Sequence, residues 1–301
     1  MHGRRDPADL GEDGGGEAPG RPRKPAPFPS DIPAFVKVRE RPLKTHLLGR
    51  GGTVFVCPTG WGLPGEMSLS VVRPYADLAR FFTFDPSGTG ESTGIRAKED
   101  LGSRGIASDS SGMLLRLKLR PHALFGHSHG GCAALRVAIN HPELVRRLVV
   151  VATTPGDGGR DPWNWRGVLG DEAPRAPLEG RGELLAVTRR IMVNSLADPR
   201  KAPEAFGGLE EKPWKVAVER FNALPKDGRM LDLKGKLQHI QAPTLVVAGA
   251  RDPIVPLEAA EAIRAEVEKS ELVVFEKSGH FPMLEEPEKF RVVLEEFLER
   301  D

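Results

Sequence analysis

A serine between two glycines offers the clearest chemistry in this 301-residue sequence. Residues 126–130 read Gly-His-Ser-His-Gly, after an apolar run and before a helical pattern that ends at Asn140. A serine at the tight turn between a strand and a helix projects its hydroxyl into a pocket, and the first amides of the helix face developing negative charge. The spacing therefore predicts that Ser128 is a nucleophile.

A serine hydroxyl needs a base to remove its proton, and His280 is the best-placed of eight histidines. It follows the last apolar strand in a loop of small residues, 278–282, which reads Ser-Gly-His-Phe-Pro. His127 and His129 adjoin the serine on the tight turn, where their rings are badly placed to accept its proton. We expect His127 to shape the pocket, and the backbone N–H of His129 to face an oxyanion.

The base in turn needs an acid that orients it and stabilises its charged form. Asp252 comes directly after the preceding apolar strand, so it is the first candidate. Asp157, a few residues after the run 148–152, is the alternative acid.

Acyl transfer also requires backbone N–H groups that bind the tetrahedral oxygen, and losing one such donor costs roughly 3 kcal/mol. One donor is expected at His129. The second is expected in the loop after the run 53–57, where Gly60 lets the backbone approach closely and Trp61 donates its N–H and lines the pocket. An ordinary turn is the alternative interpretation of this loop.

The elements that must position these residues alternate between strands and helices. Apolar runs predict strands near residues 35–40, 44–48, 53–57, 81–84, 122–125, 148–152, 244–248 and 272–275. Helical patterns occur at 71–79, 106–117, 130–140, 257–267 and 287–298. This alternation predicts a mainly parallel α/β sheet with helices on both faces, in which ligands bind outside the carboxyl ends of the strands.

A long segment, residues 153–241, interrupts the alternation and contains helical stretches at 184–196 and 214–221. It is predicted to be a mostly helical cap inserted into a core formed by residues 34–152 and 242–301. Trp163 and Trp165 lie in this segment. We expect them to line a pocket above the active site, with anchoring of the cap to the core as the alternative.

Composition excludes several classes of protein. Residues 1–33 are rich in glycine, proline and charge, which predicts a disordered tail without a secretory signal. The formal net charge of +1 gives no reason to expect a nucleic acid or membrane partner, and no run approaches the roughly 20 apolar residues of a membrane span. Cys57 and Cys132 are expected to be buried free thiols, which favours a cytoplasmic location.

At this point the sequence resembles the α/β-hydrolase superfamily, from about residue 35 to the C-terminus. Residues 85–92 (Asp-Pro-Ser-Gly-Thr-Gly-Glu-Ser) resemble the D-x-R-G-x-G-x-S loop of capped members, and residues 249–253 and 278–287 resemble the segments that carry the acid and the histidine. The resemblance implies the α/β-hydrolase fold, with a mostly parallel central sheet, helices on both faces and an inserted cap. The chain order Ser128, Asp252, His280 agrees with it.

Two positions depart from the pattern of the superfamily. Residues 59–62 read Thr-Gly-Trp-Gly where many relatives have His-Gly or His-Gly-Gly-Pro-Gly. Ser87 stands where the usual loop has arginine.

The resemblance implies a serine hydrolase that cleaves a carboxylic ester or lactone of a small to medium apolar compound. It implies an acyl-enzyme, a small-molecule substrate, no metal or organic cofactor, and a monomer or homodimer. A cofactor-free haloperoxidase or perhydrolase, and a binding protein without turnover, are alternatives. The resemblance disfavours a dehalogenase or an epoxide hydrolase, because the superfamily members with those activities have aspartate at the position of Ser128.

A further alternative is an aminopeptidase similar to proline iminopeptidase. It would need carboxylates in the cap to pair with the free amine of a substrate. Candidates for that role are Glu204, Glu210, Glu211 and Glu219, for which a solvated surface is the other interpretation.

Overall fold

One eight-stranded sheet forms the centre of the protein. The computed structural model describes residues 32–156, 163–202, 206, 213–229 and 231–300. The strands are β1 (Phe35–Val38), β2 (Arg41–Gly49), β3 (Thr53–Cys57), β4 (Arg80–Phe84), β5 (Ala123–His127), β6 (Leu148–Val151), β7 (Thr244–Gly249) and β8 (Ser270–Phe275). Their order is β1-β2-β4-β3-β5-β6-β7-β8. β2 is antiparallel to β1 and β4, whereas β3 to β8 are parallel, as the alternating sequence pattern predicted.

The parallel register brings the candidate site together at one edge of the sheet. Cys57 at the end of β3 pairs with Gly126 near the end of β5, and Gly249 at the end of β7 pairs with Phe275 at the end of β8. Every residue of β3, β5, β6 and β7 is buried, because helices cover both faces of the parallel sheet. The loops after these strands carry the residues that the sequence singled out.

Helices lie on both faces of the sheet and in the segment between β6 and β7. The helices are α1 (Gly65–Ser70), α2 (Gly102–Leu117), α3 (His129–Asn140), α4 (Trp165–Leu169), α5 (Arg181–Asn194), α6 (Val218–Arg229), α7 (Leu257–Glu266), α8 (Pro282–Glu285) and α9 (Pro287–Glu299). Leu124 of β5 joins the apolar core beneath α2 and α3, while its neighbour Phe125 joins the core beneath α9. This alternation along one strand fills both layers.

One predicted helix is placed differently in the structure. The pattern at residues 71–79 predicts a helix, but α1 ends at Ser70 and only a 3₁₀ turn, Arg73–Tyr75, follows. Pro74 has no backbone N–H and clashes with the preceding turn, so a continuous helix through it is unfavourable. The pattern predicted at 214–221 also begins later, at Val218.

The segment between β6 and β7, residues 153–241, is called the insertion below, and its described part contains α4, α5 and α6. The predicted tail lies outside the described residues except for its last two positions, 32 and 33. None of the helices in the described ranges is long and apolar enough to cross a bilayer.

Candidate active site

Ser128 occupies a strained turn between β5 and α3. Its φ and ψ are 54° and −125°, a backbone conformation that costs a non-glycine residue roughly 1–3 kcal/mol. The turn is held by the Ser128 N–H, which donates to the Val151 carbonyl at 2.9 Å, and by the Thr153 hydroxyl, which donates to the Ser128 carbonyl at 2.7 Å. The neighbouring strand β6 and the chain just after it therefore fix the serine in place.

The two glycines of the G-x-S-x-G pattern are required by close packing around the turn. A Cβ atom at Gly126 would lie 2.6 Å from the Cα of Gly131, and one at Gly130 would lie 2.6 Å from the Cys57 carbonyl oxygen. Neither backbone neighbour can move aside without displacing a strand or a helix. Glycine therefore permits the tight passage from β5 into α3.

Three of the predicted residues form one hydrogen-bonded chain. The Ser128 Oγ lies 2.8 Å from His280 Nε2, and His280 Nδ1 lies 2.7 Å from Asp252 Oδ2. The side chains of His280 and Asp252 are each only 2% exposed, and Ser128 is 2% exposed as well. The arrangement can pass the serine proton to an imidazole whose other nitrogen faces a buried carboxylate.

The loop after β7 fixes the carboxylate. Asp252 Oδ1 accepts hydrogen bonds from the backbone N–H groups of Ile254 at 2.8 Å and Val255 at 3.0 Å, which leaves Oδ2 for His280. The alternative acid, Asp157, lies outside the described residues.

A buried glutamate in the histidine-carrying segment, for which the sequence predicted no separate role, holds the histidine loop. Glu285 accepts hydrogen bonds from the N–H groups of Gly279 at 2.9 Å and Phe281 at 3.2 Å, on either side of His280. Its second oxygen accepts from the N–H of Ala197 in the insertion at 2.7 Å. Burial raises the pKa of Glu285, while these backbone hydrogen bonds act in the opposite direction. One side chain thus joins the His280 loop to the insertion.

The predicted oxyanion loop is attached to the ring of His129. The Gly60 N–H donates to His129 Nδ1 at 3.1 Å, and His129 Nε2 lies 2.8 Å from Asp227 Oδ2 on α6. The Gly60 N–H is therefore already hydrogen-bonded to the His129 ring. The described residues show no backbone hydrogen bond, outside helices and strands, that is donated by the N–H of Trp61 or by the N–H of His129.

A mostly apolar pocket lies against Ser128 and contains about 580 Å³ of space between its lining atoms, part of it open to solvent. From the predicted set, Trp61, His127, Ser128 and His280 line it. The sequence analysis missed its other walls. They are side chains of α1 and α5 and of neighbouring residues, including Leu63, Met67, Val71, Thr188, Ile191, Met192 and Phe281.

Trp163 and Trp165 are buried but are not among the residues that line this pocket. The ring centroid of Trp163 lies 6.1 Å from that of His129, and Trp165 packs edge-on against Phe221 of α6 at 5.5 Å. Both belong to the core cluster that continues from the sheet into the insertion. Their packing matches the anchoring alternative.

Ser87, which replaces the arginine of the D-x-R-G-x-G-x-S pattern, is contacted by two arginines from elsewhere in the chain. The Ser87 hydroxyl accepts a hydrogen bond from the guanidinium of Arg41 at 3.0 Å, and its carbonyl accepts one from Arg220 of α6 at 2.9 Å. Arg41 also pairs with Asp100 and Asp109. Two buried arginines from other segments thus contact the loop at the position where the D-x-R-G-x-G-x-S pattern has arginine.

Comparison with known proteins places these features in a family. The profile of the alpha/beta hydrolase fold matches residues 53–287. A pimeloyl-[acyl-carrier protein] methyl ester esterase of Nitrosospira multiformis is 25% identical over 252 residues, which cover 82% of this chain and 95% of the relative. The protein of the same name from Vibrio cholerae is 27% identical over 252 residues, covering 83% and 95%. An esterase structure from Exiguobacterium antarcticum superimposes with a TM-score of 0.71 at 24% identity, covering 89% of this chain and all of the other.

The chain belongs to the alpha/beta hydrolase fold family. The family and the fold that the sequence predicted are confirmed. The enzyme class, an esterase-like serine hydrolase, is confirmed as well.

Proposed function

We propose that this protein hydrolyses a carboxylic ester or lactone of a small to medium apolar compound through an acyl-enzyme on Ser128. The observation that carries the proposal is the chain from Ser128 Oγ to His280 Nε2 to Asp252, at 2.8 and 2.7 Å, at the wall of an apolar pocket. Positioned nucleophile, base and acid are the parts that acyl transfer requires.

The reaction proceeds in two halves. As Ser128 Oγ attacks the carbonyl carbon, His280 Nε2 takes its proton, and the charged imidazole is stabilised by Asp252. The tetrahedral oxygen accepts hydrogen bonds from the backbone N–H groups of Trp61 and His129. The C–O bond then breaks, and His280 returns the proton to the leaving alkoxide. A water molecule attacks the acyl-enzyme with His280 again as base, which releases the acid and restores Ser128.

The pocket favours an apolar acyl group over a charged one. Among the lining residues that fall within the described ranges there is no aspartate, glutamate, lysine or arginine. An aminopeptidase would need a carboxylate there to pair with the substrate's free amine. Glu219 lies on α6 and does not line the pocket, while Glu204, Glu210 and Glu211 lie outside the described residues. Turnover of a proline naphthylamide would favour the aminopeptidase alternative.

The decisive experiment combines covalent labelling with turnover. The purified protein is treated with a fluorophosphonate probe and assayed with p-nitrophenyl esters of increasing chain length. It is also assayed with pimeloyl-[acyl-carrier protein] methyl ester, for which the relatives are named. Labelling and turnover are expected in the native protein and absent in Ser128→Ala. Ser108→Ala, on the exposed side of α2, is the matched control and should behave like the native protein. A folded native protein that neither labels nor turns over an ester contradicts the proposal.

A further inference from the structure

The loop of residues 60–62, which carries the proposed oxyanion donor Trp61, packs against α6 of the insertion. The chain at the start of α6 and α6 itself contact two residues of this loop directly and a third through the ring of His129. The Ala217 N–H donates to the Gly62 carbonyl at 2.9 Å, and Phe221 packs edge-on against Trp61 with ring centroids 6.1 Å apart. The third contact reaches Gly60 through the ring of His129, from the carboxylate of Asp227.

The hydrogen-bond roles along this third contact are determined by the groups at its two ends. The Gly60 backbone N–H can only donate, so His129 Nδ1 must accept with a free lone pair. The ring proton therefore resides on Nε2, which donates to Asp227 Oδ2. The His129 ring is fully buried, so no water competes for either nitrogen.

Asp227 is built into place as a carboxylate. It accepts hydrogen bonds from His129 Nε2 at 2.8 Å and from the N–H and the hydroxyl of Ser103 at 2.9 and 3.3 Å, and donors facing both oxygens favour the ionised form. An ionised carboxylate only accepts, which keeps the proton on His129 Nε2 and the lone pair on Nδ1. The loop fits the ring closely, because a Cβ atom at Gly60 would lie 2.6 Å from Nδ1.

We propose that Asp227 and His129 are positioning residues, a second acid–histidine pair that sets the oxyanion loop at Gly60 and Trp61 against the serine turn. His129 follows the nucleophile directly, so its backbone and its ring tie the two sides of the oxyanion site to each other. The insertion therefore lines the pocket with residues of α5 and, through Asp227, also positions the oxyanion loop. This inference rests on the proposed function, because the loop position matters only if the Trp61 N–H binds the oxyanion.

A purely structural role for Asp227 is the competing explanation, since its contact with the Ser103 N–H also caps the start of α2. The two roles differ in what they do to the transition state. A misplaced oxyanion donor lowers kcat and weakens binding of a tetrahedral analogue, while the affinity for the substrate itself changes little. A lost helix cap lowers stability and leaves both of these quantities in place.

The test uses Asp227→Leu and Asp227→Asn in the full-length protein, with an ester substrate and a trifluoromethyl ketone as tetrahedral analogue. We expect kcat of Asp227→Leu to fall about 10- to 100-fold with KM within about threefold, and the inhibition constant of the ketone to rise by the same factor. In Asp227→Asn the amide oxygen can still accept from His129 Nε2, so kcat should stay within about fivefold of native. Asp232→Asn, an exposed acid nearby that pairs with Lys236, is the matched charge control and should leave kcat unchanged.

Further measurements distinguish a failure of the positioning role of Asp227 from a failure of the proposed hydrolase function. If Asp227→Leu does not fold, Gly60→Ala tests the same point, since its Cβ pushes the loop off the His129 ring and should give the same kinetic signature. A folded Asp227→Leu or Gly60→Ala with native kcat, or with unchanged affinity for the ketone, overturns the inference while leaving the hydrolase proposal standing. A native protein that does not react with the fluorophosphonate probe overturns both.

Discussion

The Nε2–H group of His127 donates a hydrogen bond to the backbone carbonyl of His280, 2.8 Å away. The His127 ring is buried and lies 4.9 Å, centroid to centroid, from the His280 ring. Burial, with the nearby His280 adding to it, lowers the pKa of His127 to about 3. A neutral histidine therefore connects the serine turn to the loop that carries the proposed base.

Replacing His127 with glutamine should make the free energy of unfolding less sensitive to acid. In the unfolded chain His127 takes up a proton below its ordinary pKa of 6.5, whereas the folded protein resists protonation until about pH 3. The contribution of neutral His127 to the free energy of unfolding is therefore fully present above pH 6.5. It decreases as the pH falls toward 3, by at most about 1.4 kcal/mol per pH unit. Glutamine keeps an N–H donor near Nε2 and does not titrate.

Urea unfolding at several pH values between 7 and 4.5 measures this effect. His141→Gln is the matched control, because His141 is partly exposed at the end of α3 and pairs with Glu143. The slope of stability against pH should be shallower in His127→Gln than in the native protein and in the control. Parallel slopes for all three proteins would show that folding does not lower the pKa of His127.

Asp252→Asn should lower kcat by about 10²- to 10⁴-fold with little change in KM, because the amide keeps the shape of the side chain but removes the charge that stabilises protonated His280. Steady-state kinetics on a p-nitrophenyl ester checks this. Asp157→Asn is the matched control, since Asp157 is the other acid that the sequence offers. A greater loss in Asp157→Asn than in Asp252→Asn would reassign the acid.

Glu285→Gln should destabilise the protein by about 1–3 kcal/mol, because one of the two carboxylate oxygens becomes an N–H₂ group that faces a backbone donor in a buried site. The loop around His280 loosens at the same time, so kcat should fall as well. Chemical unfolding and steady-state kinetics measure the two effects. Glu295→Gln, on the exposed side of α9, should change neither quantity. A Glu285→Gln protein of native stability would show that these contacts contribute little.

Ile191→Phe should shift the preference of the enzyme toward shorter acyl chains. Ile191 lies on α5 and lines the pocket, so a larger ring fills space that a long acyl group would use. We expect kcat/KM for an octanoate ester to fall about 10-fold or more relative to the acetate ester. Val292→Phe, at a position 53% exposed on α9, is the control for adding a phenylalanine. An unchanged chain-length profile in Ile191→Phe would mean that the acyl group lies elsewhere.

Local patterns in the sequence were sufficient to predict the family, the fold and the three residues that the structure joins by hydrogen bonds. Buried parallel strands need continuous apolar runs, and the turn at Ser128 needs glycine two positions before and two positions after it, so both features can be recognised from a short stretch of sequence. The loops that carry Asp252 and His280 follow such runs directly, and parallel pairing then brings their ends to one edge of the sheet. For these residues sequence position was a good guide to spatial position.

The surroundings of those residues were decided by tertiary packing. His129 and Asp227 are 98 residues apart, and Glu285 reaches an N–H of the insertion 88 residues away. Nothing in the local spacing of these residues indicates such contacts, because they depend on how the insertion packs onto the core. The tryptophans show the same limit. Their place in the predicted cap makes Trp163 and Trp165 either anchors or pocket walls, and only the packing of the insertion onto the core decides between the two. Sequence periodicity determined the sheet and the reactive loops, while the long-range packing of the insertion determined the pocket and the groups that hold the loops in place.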